Sequence, residues 1–221
     1  MREAQTSFSA GGHDLDAMRR TLLRRLGRAQ EALESAWADF VNRPSLFGYE
    51  ELMRNVPRAD RVAWQDRALE AAEQSNLEPF IELCLKAKEI DRVAKRLACT
   101  GDRELEGLSH CVTEPAAATL KKPYPAVAAK VFRALSIRIL KAAKSKYYDA
   151  ALAHLEQARR CYLAAGLEEQ WEALAIEIRR DHFRKSCFMP GFNAIIAGKK
   201  MRAEPSFLDR ARQRWAEKAK S

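Results

Sequence analysis

No stretch of this chain approaches the roughly 20 consecutive apolar residues needed to span a bilayer, and the opening residues, Met1 to His13, lack the apolar segment of a secretion signal. Both absences argue against a membrane or secreted protein, and the expected setting is the cytoplasm. Cysteine is sparse and unpaired: Cys84, Cys99, Cys111, Cys161 and Cys187 are odd in number and share no recurring spacing, as in reduced thiols rather than a disulfide framework. A phosphate-binding glycine loop, a Gly-x-Ser-x-Gly elbow and a His-Glu-x-x-His pair are all missing. No enzyme chemistry, cofactor or metal is therefore expected. Alternating apolar and polar residues, the mark of a half-buried strand, are missing too.

What the chain does have is apolar material and charge. Over 221 residues, 47% are hydrophobic, enough to fill a core without disulfides or metal. The net charge of +9 is unevenly placed: residues 1–43 carry 7 Lys/Arg against 6 Asp/Glu, residues 44–178 carry 20 against 20, and residues 179–221 carry 12 against 4. An acidic partner drawn by long-range attraction would meet the C-terminal end first. The body in between is electrically neutral.

Helical periodicity dominates. Leu15, Met18, Leu22, Leu26, Ala29, Leu33, Ala36, Trp37 and Phe40 fall on one stripe at 100° per residue, which predicts one long amphipathic helix over 14–42, ending before Pro44. Such a helix must pack across the rest of the chain or serve as a homodimer or partner surface. Beyond Pro44, glycine and proline divide the chain into short helical runs near 48–55, 59–75, 77–87, 89–99, 102–110, 113–121, 125–145, 147–165 and 168–187, with a last helix near 206–219. Asn76 and Thr113, each followed by proline in the first turn, mark helix starts, and Gly101 and Gly166 suit left-handed helix ends. The helix over 125–145 is apolar nearly all round (Val127, Ala128, Val131, Phe132, Leu135, Ile139, Leu140) and should be central.

Helices of about 10 residues joined by short turns bury their faces best as antiparallel pairs. The expected fold is all-α, an α-α superhelix of stacked antiparallel helix pairs of tetratricopeptide type, although no fixed repeat period emerges. Three regions follow: 1–43, a tail and long amphipathic helix; 44–198, the helical-repeat domain; and 199–221, a basic tail helix.

The stretches Phe80-Ile81-Glu82-Leu83-Cys84-Leu85, Val131-Phe132-Arg133-Ala134-Leu135, Lys146-Tyr147-Tyr148-Asp149-Ala150-Ala151, Trp171 and Ile178 to Lys185 carry a resemblance over about half the chain. They resemble the C-terminal helical-repeat region of bacterial SWIM zinc-finger proteins, and are similar to a related bacterial domain family of unknown function. The finger's own Cys-x-Cys and Cys-x-His are absent, so no metal site carries over. The resemblance implies a superhelix and no catalytic residue.

The remaining histidines and cysteines give little metal signal. His110 and Cys111 are neighbours that should point apart on a helix, and His182 and Cys187 stand five apart, off a shared face. His182 is expected as a hydrogen-bonded core histidine, His154 on a polar face, and Tyr147, Tyr148 and Trp171 in the packing seam. Ile176 and Phe183 should be covered on the opposite side of helix 168–187. Carboxylate pairs Glu50-Glu51 and Glu168-Glu169 read as helix starts that favour the dipole.

Two basic surfaces carry the functional expectation. Lys130, Arg133, Lys141 and Lys144 lie within a quarter-turn on helix 125–145, and Lys199, Lys200, Arg202, Arg210, Arg212 and Arg214 line the C-terminal tail. The first reading is a non-catalytic protein-interaction or scaffold module binding a protein or peptide. The second is a nucleic-acid-associated protein held by its basic tail, with salt-dependent affinity.

Overall fold

The computed structural model describes residues 4–198, with side chains from residue 15 onward. The described residues form helices and no strand. They are α1 (Ala4–Arg25), α2 (Ala29–Asn42), α3 (Leu46–Asn55), α4 (Arg61–Glu73), α5 (Leu77–Ala87), α6 (Ile90–Cys99), α7 (Asp102–Gly107), α8 (His110–Leu120), α9 (Pro125–Ala142), α10 (Tyr148–Ala164), α11 (Glu168–His182) and α12 (Met189–Ile196). Short 3₁₀ turns precede α4 and α10. The tail helix expected near 206–219 lies outside the described residues.

The single long helix over 14–42 is instead two helices. Gly27 takes a left-handed φ of +78° that breaks the backbone ladder between Arg25 and Ala29, and α1 and α2 then fold back on each other. Glycine favours the interruption because it adopts positive φ without the backbone strain that a side chain adds. The apolar stripe is thereby cut in two. In α2, Leu33, Ala36 and Phe40 are buried, while in α1 and the turn that ends it, Leu15, Met18, Leu22 and Leu26 remain 68%, 63%, 52% and 71% exposed.

Most other boundaries follow local chemistry. The Ser45 hydroxyl accepts from the Gly48 N–H at 3.1 Å and opens α3. Asn76 occupies the N-cap position of α5 as expected, though its side chain makes no capping bond. Gly166 closes α10 with φ +68°, and the same left-handed ending appears at two non-glycines, Lys88 after α5 and Ala143 after α9. Gly101 differs from expectation: at φ −69° it is extended backbone that opens α7. Helix α8 also starts three residues earlier than Thr113, because Ser109 caps it by accepting from Cys111 N–H at 3.3 Å. Thr113 instead turns its hydroxyl back to the Ser109 carbonyl at 2.9 Å, and Pro115 sits inside the helix.

Helix α9 occupies the middle, packing against α6, α7, α8 and α10. Its Ala128, Val131, Phe132, Leu135 and Leu140 are buried, with Val127 and Ile139 half-covered. One continuous core runs from Leu33 to Ile195. At the C-terminal end the expected helix 168–187 stops at His182, and a separate short helix, α12, follows a turn and opens with Pro190 in its first turn. An aromatic seam joins these parts: Tyr162 to Trp171 at 6.4 Å, Trp171 to Phe192 at 6.5 Å, Phe192 to Phe188 at 5.5 Å and Phe188 to Tyr148 at 5.8 Å. Gly191 permits this approach, since a Cβ there would stand 2.5 Å from the Leu152 Cδ1 of α10. Ile176 and Phe183 are 67% and 64% exposed, so among the described residues α11 is covered on one face only, not sandwiched.

Candidate functional site

The cationic stripe of α9 is engaged within the chain. Lys130 Nζ donates to the carbonyls of Ala98 at 2.8 Å and Thr100 at 2.6 Å, with Leu97 at 3.4 Å, so its charge sits on the carbonyl-rich end of α6. Arg133 donates to the Asp102 carboxylate at 2.7 Å, and Lys141 pairs with Glu106. Three of the four residues therefore fasten α9 to α6 and α7. Lys130 and Arg133 also border a cleft of about 410 Å³ with Tyr162 and Gln170, while Lys144, exposed past the end of α9, lines a larger one. Lys130, Arg133 and Lys141 meet α6 and α7 together, through carbonyls and carboxylates that come from about 30 residues away in sequence. The other basic set, Lys199, Lys200, Arg202, Arg210, Arg212 and Arg214, lies outside the described residues.

A cavity of about 830 Å³ opens on the other side of α9, between α8, α9 and α10. Its size falls within the range of ligand-binding clefts. Small side chains make the space: Ala118 on α8, Ala142 on α9, and Ala150 and Ala153 on α10 leave room where larger residues would close the helices together. Phe132 forms the apolar floor and is nearly buried. The His154 ring stacks on Phe132, centroids 6.2 Å apart and planes at 26°, while Lys121 Nζ stands 5.2 Å from the Phe132 centroid.

Charge around this cleft is mostly positive. Lys121, Arg138 and Lys144 lie on its wall with Glu114 as the one carboxylate, and His110, Tyr147 and Gln157 add uncharged polar groups. Arg138 is fixed by donating to the Leu108 carbonyl at 2.7 Å. Burial, the largest influence, lowers the His154 pKa from its usual 6.5; Glu114 opposes the shift, and Arg138 and His110 add to it. The shift favours the neutral imidazole. It is half-buried against an aromatic ring, not on a freely solvated polar face.

Several single-residue expectations change here. His110 Nε2 and Cys111 Sγ approach to 3.8 Å, so these neighbours do not point apart. Tyr148 and Trp171 are buried in the seam, but Tyr147 is 48% exposed and forms part of the cleft wall. His182 is partly exposed, with its pKa lowered by burial and by Lys185, and it is not a closed core residue. Glu168 and Glu169 do occupy the first turn of α11. Glu50 and Glu51 lie midway along α3, where Glu50 accepts from Lys86 at 3.0 Å and Glu51, buried, pairs with Arg54. Cys84 and Cys161 are buried, with the Cys84 thiol pushed up to about 12 by burial. No group of three or more His, Cys, Asp or Glu side chains is arranged to hold a metal among the described residues, and no helix there is long and apolar enough to cross a membrane.

The cleft was not legible from any one segment. Its signal is faint: His110, Glu114, Ala118 and Lys121 recur at helical spacing on α8, a polar and small face that needs no partner helix. Only the meeting of α8 with α9 and α10 turns that face into a wall. A model of a family of unknown function (DUF6880) matches residues 2–190. No curated protein and no solved structure matches the chain.

Proposed function

We propose, starting from a chain that belongs to the DUF6880 family of unknown function, that the protein is a non-catalytic interaction module whose α8–α9–α10 cleft binds an acidic peptide with an apolar anchor. The observation that carries this reading is the pairing of an apolar Phe132 floor with a wall bearing Lys121, Arg138 and Lys144. An anchor side chain entering beside Phe132 gains apolar burial, and flanking carboxylates meet three cations held by a rigid helix pair. The cleft's polar groups serve recognition: no nucleophile stands with a base and an orienting third group in its lining.

Around this site we read the twelve helices as stacked antiparallel pairs, a superhelix of tetratricopeptide type. Neighbouring helices in sequence packing against each other, as α1 with α2, α2 with α3 and α4 with α5, support that reading. The resemblance to the helical region of bacterial SWIM zinc-finger proteins agrees with it, as does a cytoplasmic setting for reduced thiols. A nucleic-acid role rests on the charge of the last segment, 12 Lys/Arg against 4 Asp/Glu over residues 179–221.

One titration separates the two readings. A fluorescent peptide alternating Glu and Leu should bind with micromolar affinity and be lost when Ala150→Trp or Ala153→Trp fills the cleft, positions exposed enough to leave the fold intact. Converting Arg210, Arg212 and Arg214 to glutamine should not change that binding. Binding of a single-stranded oligonucleotide that falls steeply with salt and disappears in the tail variant would favour the second reading. Peptide binding untouched by both alanine variants would refute the cleft.

A further inference from the structure

The α1 stripe has no partner among the described residues. Helix α1 is nevertheless fixed to the body: Arg20 pairs with Asp39 of α2, and Arg24 donates to the Arg54 carbonyl of α3 at 3.3 Å. Those contacts leave Arg20 buried and turn Leu15, Met18, Leu22 and Leu26 outward. The four are spaced 3, 4 and 4 residues apart on one face, the pattern of a helix seam, and scattered exposure does not produce such a line.

We infer that α1 is a homodimerisation helix, pairing antiparallel with α1 of a second copy through Leu15, Met18, Leu22 and Leu26. Three observations select a second copy over other occupants. First, the ends of the stripe exchange when the chain direction is reversed about a point between Arg20 and Thr21, and its two inner residues come within one position of doing so. Leu15 then falls opposite Leu26 of the second copy, and Met18 and Leu22 stand one residue, about 1.5 Å of helical rise, from direct opposition. Second, at 52–71% exposure for each side chain, two such stripes together cover on the order of 1,000 Å², the lower bound for a specific interface. Third, reversal about the same point sets Arg25 of one copy opposite Asp16 of the other, a charge match made twice across the pair. The antiparallel arrangement also opposes the two helix dipoles and sets the arginine-bearing last turn beside the second copy's turn that contains Asp16. This inference is independent of the cleft.

Sedimentation equilibrium of the full chain tests it. The 25.1 kDa monomer should give way to a species of twice that mass as concentration rises through the micromolar range. Leu22→Glu, which places a carboxylate beside the axis in both copies, should raise the dissociation constant about a hundredfold while the helical circular dichroism signal stays unchanged. If Leu22→Glu disturbs the fold, Leu15→Ser combined with Leu26→Ser gives the same reading at the ends of the stripe. A wild-type chain that stays monomeric at about 100 µM overturns the inference, as a dissociation constant above that range is too weak for a specific dimer. A dimer that persists in folded stripe variants also overturns it, because association would then use another surface.

Discussion

Helices α9 and α1 begin from comparable sequence patterns, each carrying leucine and other large apolar residues at helical spacing between arginines. Their fates are opposite. In α9 the apolar residues are buried by four neighbouring helices, and its cations reach the α6 carbonyls, Asp102 and Glu106. In α1 the face bearing Arg20 is covered while Leu15, Met18, Leu22 and Leu26 face outward. Periodicity thus identifies a face that prefers to leave water, but it does not say what will cover that face. The cationic stripe teaches the converse. Lys130 and Arg133 look like a binding surface when read alone, yet distant acceptors from α6 and α7 already hold them.

The largest effect should come from removing bulk where cover is complete. Leu140→Ala in α9, at 1% exposure, should destabilise by about 2–5 kcal/mol in urea unfolding, because a cavity is left in a packed core. Leu22→Ala in α1 should change stability by less than about 0.5 kcal/mol in dilute solution. Equal losses at the two sites would erase the contrast between the helices. Lys130→Met comes next. It keeps much of the aliphatic stem but removes the charge from three carbonyls, and should cost about 1–2 kcal/mol, partly offset by exposure of the site to water. A neutral result would return Lys130 to the set of free surface charges.

A smaller effect depends on pH. The folded-state pKa of His154 lies below its ordinary 6.5, with burial as the main cause, so the unfolded chain binds more protons as pH falls below that value. Stability present above pH 6.5 is then lost as pH drops through the folded pKa. His154→Gln should flatten this decline, leaving the share due to His182, whose pKa is lowered in the same direction. An unchanged slope would place His154 in a wetter site than the Phe132 stack implies. Least perturbing is thiol labelling at neutral pH. Cys99, Cys111 and Cys187 should react in the native protein, while Cys84 and Cys161 should react only after unfolding. Rapid labelling of Cys161 would mean that α10 opens without global unfolding.

The helical content and most helix boundaries were legible because their causes are local. Asn76 followed by Pro79, Gly166 at a left-handed end and Pro125 opening α9 each act within one turn of chain. The expectation of one helix over 14–42 failed for a related reason. Glycine inside a periodic run can remain helical at modest cost, and Gly27 turns only because α1 gains from folding back onto α2 and α3. The cleft was hidden more deeply. Ala118, Ala142, Ala150 and Ala153 are unremarkable helix formers along the chain, and they become the walls of a cavity only when three helices bring them together.

By itself, the sequence determined an all-helical chain with a neutral body, an excess of positive charge at one end and a central apolar helix, because propensity, capping and charge are additive along the backbone. Tertiary structure alone decided which apolar stripe is covered, which cations are already paired and where space remains. Those outcomes depend on contacts between residues far apart in sequence, and a residue's spacing along its own helix carries no record of what stands opposite.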